Sequence, residues 1–199
     1  MNPQYQSTPV DADEAAAFVD GTTFATKHDV YQAEAEGISA VESEMLTAIA
    51  DSAISAIDLC NYETLLEMHQ ACYSDVWKWA GKIRDRELSI GVAPEAIRQR
   101  LPEELGNLAY WIEHDVDPFW IAMAAHHRLV MIHPFVDGNG RITRLCADLL
   151  LYGLTSQYIF DWEPIVESKA YFEALRDADR TMNPDALLRV VEIIDLEGQ

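Results

Sequence analysis

A histidine, a carboxylate, two glycines and two arginines follow one another within residues 133–144, and together they could act on a polyphosphate. His133 could accept a proton, and Asp137 could bind a magnesium ion. Arg141 and Arg144 are three residues apart, so on a helix both would point to the same side. This set of groups is suited to chemistry on a nucleotide polyphosphate. The alternative is a plain helix junction with a buried histidine and surface arginines.

The elements that would hold these groups are two helices joined by a tight turn. The run that ends at His133 is apolar nearly all round, which predicts a buried central helix. Pro134 disfavours a helical continuation of that histidine. A turn from Gly138 to Gly140 then precedes a second helical run, residues 142–154. The amides of the turn would lie at a helix N-terminus, which is a common backbone site for phosphate.

The stretch from His133 to Arg144 resembles the active-site signature of the Fic family, His-x-Phe-x-(Asp/Glu)-Gly-Asn-Gly-Arg-x-x-Arg, and every fixed position is met. Such a match is far more specific than a glycine-rich loop alone. The usual reaction of the family is transfer of AMP from ATP to a hydroxyl side chain of a protein. The resemblance therefore implies a protein adenylyltransferase with ATP as co-substrate and Mg²⁺ as cofactor. Its partner would be a target protein that offers a Tyr, Thr or Ser hydroxyl.

The signature also implies a role for each position. By this resemblance His133 is the base that deprotonates the target hydroxyl, and Asp137 is the acid that holds Mg²⁺. The other positions would bind or orient the nucleotide phosphates: Gly138, Asn139, Gly140, Arg141 and Arg144. The first three of these would act through their backbone as an anion hole.

Two segments outside the signature also resemble parts of Fic proteins. Residues 82–92 are rich in charge and lack a helical period, which predicts a short hairpin or an extended flap. In the family such a flap pairs with the target's backbone, so Ser89, Ile90 and Gly91 are candidate target-positioning residues; a plain surface hairpin is the alternative. Tyr171 lies in a run that resembles the segment lining the adenine pocket, although an ordinary core aromatic fits the same pattern.

A glutamate ahead of the signature resembles an inhibitory residue. Fic proteins often carry a helix with the pattern (Ser/Thr)-x-x-x-Glu-(Gly/Asn), whose glutamate pairs with the second arginine of the signature. Here Glu36 precedes a glycine, but Gln32 occupies the Ser/Thr position, so the match is partial. Glu34 is the second candidate. The resemblance implies self-inhibition through Arg144, whereas the alternative is a solvated acid on an acid-rich chain.

The residue at position 140 bears on which group is transferred. The Doc branch of the same fold transfers the terminal phosphate and resembles Gly-Asn-Lys where this chain has Gly140. A lysine would obstruct the α-phosphate site, so glycine favours AMP transfer. The alternatives are a Doc-like phosphotransferase, an enzyme that removes AMP, an enzyme that uses another nucleotide, and a non-enzymatic module that has kept a nucleotide pocket.

Helical periodicity recurs from residue 29 to the C-terminus, which predicts an all-α fold. By resemblance this part is a Fic-type helical bundle, 29–199, with an N-terminal inhibitory helix and a short β-hairpin flap. Residues 1–28 are predicted to form an N-terminal arm, and this arm together with the helix that follows it weakly resembles the Fic subgroup called mobile mystery protein B. The predicted helices are 29–57, 62–73, 93–114, 118–132, 142–154, 168–178 and one from Pro184 that includes Leu187, Leu188, Val191 and Ile194.

The charge of the chain limits its partners. It has 14 basic and 34 acidic residues, a net charge of −20, which disfavours nucleic acid and anionic membranes as partners. The same composition is typical of a protein from a salt-rich cytoplasm, although an acidic mesophilic protein is the alternative. An odd number of cysteines without CxxC spacing, no signal-like N-terminus and no long apolar run predict a soluble cytoplasmic protein. The sequence leaves a homo-oligomer open.

Overall fold

The computed structural model describes residues 8–197, which form a mostly helical fold with one two-stranded sheet. The all-α prediction is confirmed. The elements in chain order are α1 (Ala12–Ala16), α2 (Lys27–Ala50), a 3₁₀ turn (Asp58–Cys60), α3 (Tyr62–Tyr73), α4 (Pro94–Glu113), α5 (Pro118–Ile132), α6 (Asn139–Thr155), β1 (Tyr158–Asp161), α7 (Lys169–Thr181), α8 (Asp185–Leu188) and β2 (Glu192–Asp195).

The centre of the fold is the pair α5 and α6, which pack against each other along their length. Ten of the fifteen residues of α5 are buried, because its sequence is apolar on every side and other helices cover it. Helices α4, α7 and α8 pack against α5, while α2 packs against α6. The predicted central helix pair is thus confirmed. The turn between these two helices carries the signature residues, so the site rests on the most buried part of the molecule.

Local caps set the starts of the helices that matter for the site. Helix α5 begins at Pro118, which needs no amide donor there, and the Asp117 side chain accepts from the Trp120 amide at 2.9 Å. Helix α2 begins with a capping box in which Thr26 and Asp29 satisfy each other's amides. It ends at Ala50, well before the predicted residue 57.

The segment 82–92 is not a β-hairpin. A single bridge joins Ile83 to Phe135, and no strand is present in this segment. The buried guanidinium of Arg84 instead donates to the carbonyls of His133 at 2.7 Å, of Arg86 at 2.9 Å and of Val92. Because one side chain satisfies these carbonyls, the segment folds as a loop without cross-strand pairing, and the hairpin prediction is wrong.

The C-terminal segment also differs from its prediction. The last helix, α8, ends at Leu188, and the chain then pairs antiparallel with the aromatic loop 158–161. Ile194 faces Ile159 in this sheet, so its predicted place on the inner stripe of a helix is wrong. β-branched residues such as Ile193 and Ile194 fit a pleated surface, which accounts for the strand.

The predicted N-terminal arm is packed where the structure describes it. Phe18 is buried and its ring lies 4.9 Å from that of Trp77. The Val19 amide donates to the Val76 carbonyl at 3.0 Å. Residues 8–26 therefore cover the start of the segment that follows α3, while residues 1–7 of the predicted arm lie outside the described residues.

Candidate active site

His133 terminates α5 in a left-handed conformation, with φ 56° and ψ 61°. This conformation turns its ring out of the helix, and Pro134 prevents the helix from continuing. The ring nitrogen Nδ1 lies 3.3 Å from the Val130 carbonyl, which can only accept, so Nδ1 carries the proton. In the neutral ring Nε2 is therefore an acceptor. His133 thus has the tautomer that a general base requires.

The loop after His133 is held by the Asn139 side chain. Its amide accepts from the Phe135 N–H and donates to the Phe135 carbonyl, both at 2.9 Å. The side chain is buried, and both ends of its amide group are occupied. Any contribution of Asn139 to an anion site therefore comes from its backbone.

His69 of α3 supports the same loop. Its Nδ1 accepts from the Gly81 amide at 2.9 Å, so Nε2 is the protonated nitrogen and donates to the Asp137 carbonyl at 3.2 Å. The ring also stacks on Phe135, with centroids 3.6 Å apart. Burial lowers the pKa of His69 to about 4, which keeps the ring neutral. No local pattern signals this residue, because its partners are distant in sequence.

Gly138 makes the turn into α6. Its φ is 76°, a left-handed value that glycine adopts without strain. A Cβ at this position would lie 2.7 Å from the ring of Tyr73. The turn therefore places its backbone directly against α3, and the first amides of α6 follow it.

Replacing Gly138 with alanine is expected to lower the free energy of unfolding by about 2 kcal/mol or more, because the change adds both backbone strain and overpacking. Urea denaturation measures the loss. Gly106→Ala is the matched control, since this α4 glycine has open space around it. That control should gain up to about 1 kcal/mol from helix propensity. Equal stability of Gly138→Ala and wild type would contradict the geometry of the turn.

Arg144 lies between two cavities. The larger, about 710 Å³, contains His133, Gly140, Arg144 and the ring of Tyr171, with the flap residues Ile90 and Gly91 at its edge. The smaller, about 180 Å³, is bounded by both signature arginines and by two acids of α2 and α6, Glu42 and Asp148. The larger cleft joins a proton acceptor, a helix N-terminus, a cation and an aromatic wall, which suits a nucleotide.

Arg141 is paired with Glu34 of α2. The carboxylate of Glu34 is 1% exposed and lies 2.7 Å from Arg141 Nη1, while Trp77 Nε1 donates to its other oxygen at 2.7 Å. The guanidinium also lies 5.2 Å from the ring centre of Tyr73. The hydrogen-bonded ion pair with Glu34 and the contact with the Tyr73 ring thus hold the Arg141 side chain beside α2.

The structure corrects the choice of glutamate and of its arginine. Glu36 is exposed and accepts from Gln32 at 3.0 Å within the same helix. Two residues on a helix differ by about 200° in direction, so Glu34 and Glu36 face opposite sides. The contact is made by Glu34, which was the second candidate. Its observed partner is Arg141, whereas the contact with Arg144 was expected.

The sequence of the central segment matches a known family. Residues 59–151 match the Fic/DOC family. This segment is a Fic/DOC family domain.

Several named relatives of this segment are protein adenylyltransferases. The chain is 36% identical over 98 residues to protein adenylyltransferase fic-1 of Caenorhabditis briggsae, a match that covers 45% of this chain and 18% of that protein. It is 33% identical over 112 residues to protein adenylyltransferase Fic of Drosophila melanogaster, covering 50% and 21%. The matched part thus spans about a fifth of the length of these relatives.

Solved structures share the fold. BepC of Bartonella tribocorum, with bound AMPPNP, superimposes with a TM-score of 0.62 at 17% identity and covers 92% of this chain and 99% of that one. A variant of Fic-1 from C. elegans gives a TM-score of 0.58 at 25% identity, covering 88% and 50%. These likenesses establish the helical fold of the Fic domain. The likeness to the mobile mystery protein B subgroup stays a prediction.

The predicted metal ligand, Asp137, does not line the large cleft. The Asp137 side chain is 67% exposed and borders a neighbouring groove of about 570 Å³ that Trp77 and Trp79 also line. One of its oxygens accepts from the Gly138 amide at 2.6 Å. Within residues 8–197, no three acidic, histidine or cysteine side chains form a metal-binding group. A magnesium ion here would need phosphate oxygens in addition to one carboxylate, which fits its usual mode at nucleotide sites.

The flap residues fall into two groups. Ile90, which is 60% exposed, and Gly91 border the large cleft. A Cβ atom added to Gly91 would lie 2.5 Å from the Cβ atom of His133. Ser89 is exposed and is not part of the cleft lining.

No helix in the described part of the chain is long and apolar enough to span a membrane.

Proposed function

We propose that the Fic domain transfers AMP from ATP to a hydroxyl side chain of a protein. The observation that carries the proposal is the presence of His133, Gly140 and Arg144 in one cleft of about 710 Å³ with an aromatic wall. The adenylyltransferase names of the relatives support it, as do neighbours solved with AMPPNP and with ADP.

In the proposed reaction, the target oxygen attacks the α-phosphorus of ATP. Nε2 of His133 takes the hydroxyl proton as the new phosphorus–oxygen bond forms. The bond from the α-phosphorus to the bridging oxygen breaks, and pyrophosphate leaves with that electron pair. The amides at the start of α6 and the guanidinium of Arg144 stabilise the negative charge on the phosphates. A magnesium ion held by Asp137 would neutralise phosphate charge when it is bound.

Transfer of AMP is favoured over transfer of phosphate by the residue at the start of α6. Gly140 has no side chain, so it leaves the space over the first helical amides open, and the nearest foreign atom to its missing Cβ is Arg144 Nη1 at 3.3 Å. A lysine there would add a cation and fill the space. The α-phosphate can therefore approach the helix N-terminus.

The leaving group distinguishes the candidate reactions. AMP transfer releases pyrophosphate, phosphotransfer releases ADP, and AMP removal consumes no ATP. Incubation of the protein with Mg²⁺, ATP and a protein extract should therefore release more pyrophosphate than the same incubation with the His133→Ala variant, and ion-exchange chromatography separates pyrophosphate from ADP. ADP as the main product would favour the Doc-like reaction, and nucleotide binding without any product would favour a non-enzymatic module.

The proposal includes self-inhibition by α2. Glu34 places a carboxylate 2.7 Å from Arg141 Nη1, so a phosphate must compete with the glutamate for this guanidinium. The carboxylate would also repel the polyphosphate chain electrostatically. The helix therefore competes with the nucleotide for one cation of the signature.

The acidity of the protein supports a proposal about its surroundings. A net charge of −20 on 199 residues suits a salt-rich cytoplasm, where ions screen self-repulsion.

The partner of the exposed flap, Ser89 to Gly91, would be an extended segment of the target protein that presents its hydroxyl to His133.

The pH dependence of transfer is expected to reflect His133. Burial lowers its pKa below the usual 6.5, and Arg84 adds to this effect, while the Val130 carbonyl and Asp137 oppose it. The base must be neutral, so turnover should stay constant as the pH falls towards 6.5 and decline only below that value. A pH profile of kcat measures this. An acidic limb centred above pH 6.5 would contradict the assignment.

A further inference from the structure

Arg84 connects the flap segment, residues 82–92, to the residue that follows α5. Its side chain is only 2% exposed. Nε donates to the His133 carbonyl at 2.7 Å, while Nη2 donates to the Val92 carbonyl and Nη1 to the Arg86 carbonyl at 2.9 Å. One buried guanidinium therefore holds both the flap segment and the backbone of the proposed base.

The end of α5 needs these donors. The last carbonyls of a helix have no amide partner within the helix. Here the His133 carbonyl accepts from Arg84 Nε, and the Ile132 carbonyl accepts from the Val92 amide at 3.2 Å and from Arg84 Nη2 at 3.4 Å. A positive charge is also favourable at the C-terminus of a helix. Arg84 thus caps α5 where the chain turns into the left-handed conformation of His133.

The flap segment approaches His133 most closely at Gly91, whose φ is 95°. A Cβ atom added there would meet three groups at 3.0 Å or less: the Cβ atom of His133, Nη2 of Arg84 and the carbonyl oxygen of Ile132. No side chain therefore separates the end of the flap from the first side-chain atom of His133. A shift of the flap end changes its distance from the His133 ring directly.

We propose that Arg84 is a positioning residue for AMP transfer. It holds the flap segment at a fixed distance from His133, so that a hydroxyl presented by the flap lies within reach of Nε2. The inference rests on the proposed function, because that function assigns the flap to the target protein. Arg84 does not line the large cleft, so it acts through the flap and His133 and not on the nucleotide.

The chemistry of the link favours arginine over lysine. A guanidinium carries five N–H donors in a rigid plane, and here its three nitrogens donate to carbonyls of both the flap segment and α5. An ammonium group concentrates its donors on one nitrogen, so it cannot reach all of these carbonyls at once. Arg84→Lys therefore keeps the positive charge and breaks the link.

Amide hydrogen exchange tests the link without any ligand. In the wild type the Val92 amide should be strongly protected, because the link keeps it bonded to the Ile132 carbonyl. In Arg84→Lys it should exchange about tenfold faster or more, which is the effect of losing a hydrogen bond to a charged group. Free exchange of Val92 in the wild type, or an unchanged rate in the variant, would overturn the proposal. The first result needs no variant, so it decides the matter even if Arg84→Lys fails to fold.

Transfer rates measure the consequence for the reaction. The probe is α-labelled ATP with Mg²⁺ and a protein extract, and the label found with His133→Ala is subtracted. Arg84→Lys should lower the rate at saturating ATP by about 10²-fold, which a misplacement of about 1 Å can cost. The apparent KM for ATP should change by no more than about threefold, because the nucleotide site is intact. A wild-type rate, or a loss of ATP affinity that accounts for the slower transfer, would overturn the proposal.

Arg128→Lys is the matched control. Arg128 is also buried, and its Nη2 donates at 2.7 Å to the carbonyl of Met182, the left-handed residue that directly follows α7. It therefore caps a helix as Arg84 does, away from the flap segment, and its variant should transfer label like the wild type. An equal loss in Arg128→Lys would mean that any broken cap slows transfer, which would overturn the positioning role.

The wild type separates failure of this inference from failure of the proposed function. If the wild type transfers no label, the proposed function fails, and the role of Arg84 in transfer fails with it. If the wild type transfers label and Arg84→Lys does so at the same rate, only the inference about Arg84 is wrong.

Discussion

Replacement of His133 by alanine is expected to abolish transfer of AMP while the affinity for ATP changes by no more than a few-fold. In the proposed reaction the ring accepts the proton of the target hydroxyl through Nε2, because its Nδ1 is hydrogen-bonded to the Val130 carbonyl. Loss of a general base typically costs about 10²–10⁴-fold in rate. Turnover with a protein acceptor and calorimetry with ATP measure the two effects separately.

His114→Ala is the matched control for this prediction. This exposed histidine directly follows α4 and stacks on Tyr110, so its loss should leave turnover unchanged. Wild-type turnover of His133→Ala would show that another group accepts the proton. A parallel loss of ATP affinity by orders of magnitude would mean that His133 binds the nucleotide instead.

Replacement of Glu34 by glutamine is expected to raise transfer by about 10- to 100-fold. The change removes the negative charge from Arg141 but keeps an oxygen that can accept from Trp77, so the fold is disturbed little. A hydrogen bond between charged groups contributes about 1.5–3 kcal/mol. In the proposed self-inhibition, nucleotide binding must overcome this energy of the Glu34–Arg141 contact. The rate at limiting ATP, compared with wild type, measures the gain.

Glu36→Gln is the matched control, because it removes the same charge from the exposed side of the same helix. It should not activate. The double variant Glu34→Gln with Arg141→Ala should lose the gain, since both changes act through one contact. Activation by Glu36→Gln alone would return the inhibitory role to the first candidate, and activation by neither would leave α2 a scaffold.

The signature and the helices around it were predictable because their causes are local. A run of helical length that is apolar nearly all round indicates a buried helix, a Pro after His133 ends it, and two glycines before the next run mark a turn. Asn139 was less predictable, because its side chain binds the backbone of Phe135 and not a ligand. The role of the Asn139 side chain is visible only in the folded structure, where the turn brings it to the Phe135 backbone.

The remaining errors share a physical cause, which is competition from distant parts of the chain. Arg84 takes up carbonyls that a hairpin would have paired, and its partners include His133, forty-nine residues away. Ile194 became a strand residue because the edge of β1 was available to it. Glu34, and not Glu36, contacts a signature arginine because the fold brings Trp77 and Arg141 to its side of α2. Periodicity along one segment contains none of these contacts.

The position of a radioactive phosphate in ATP distinguishes transfer of AMP from transfer of the terminal phosphate. The Glu34→Gln variant is incubated with Mg²⁺ and a protein extract, in parallel with ATP labelled at the α-phosphate and ATP labelled at the γ-phosphate. The His133→Ala form of the same variant serves as the blank. Above the label found in the blank, protein-bound label is expected from α-labelled ATP alone. Protein-bound label from γ-labelled ATP alone would mean phosphorylation and would contradict the account.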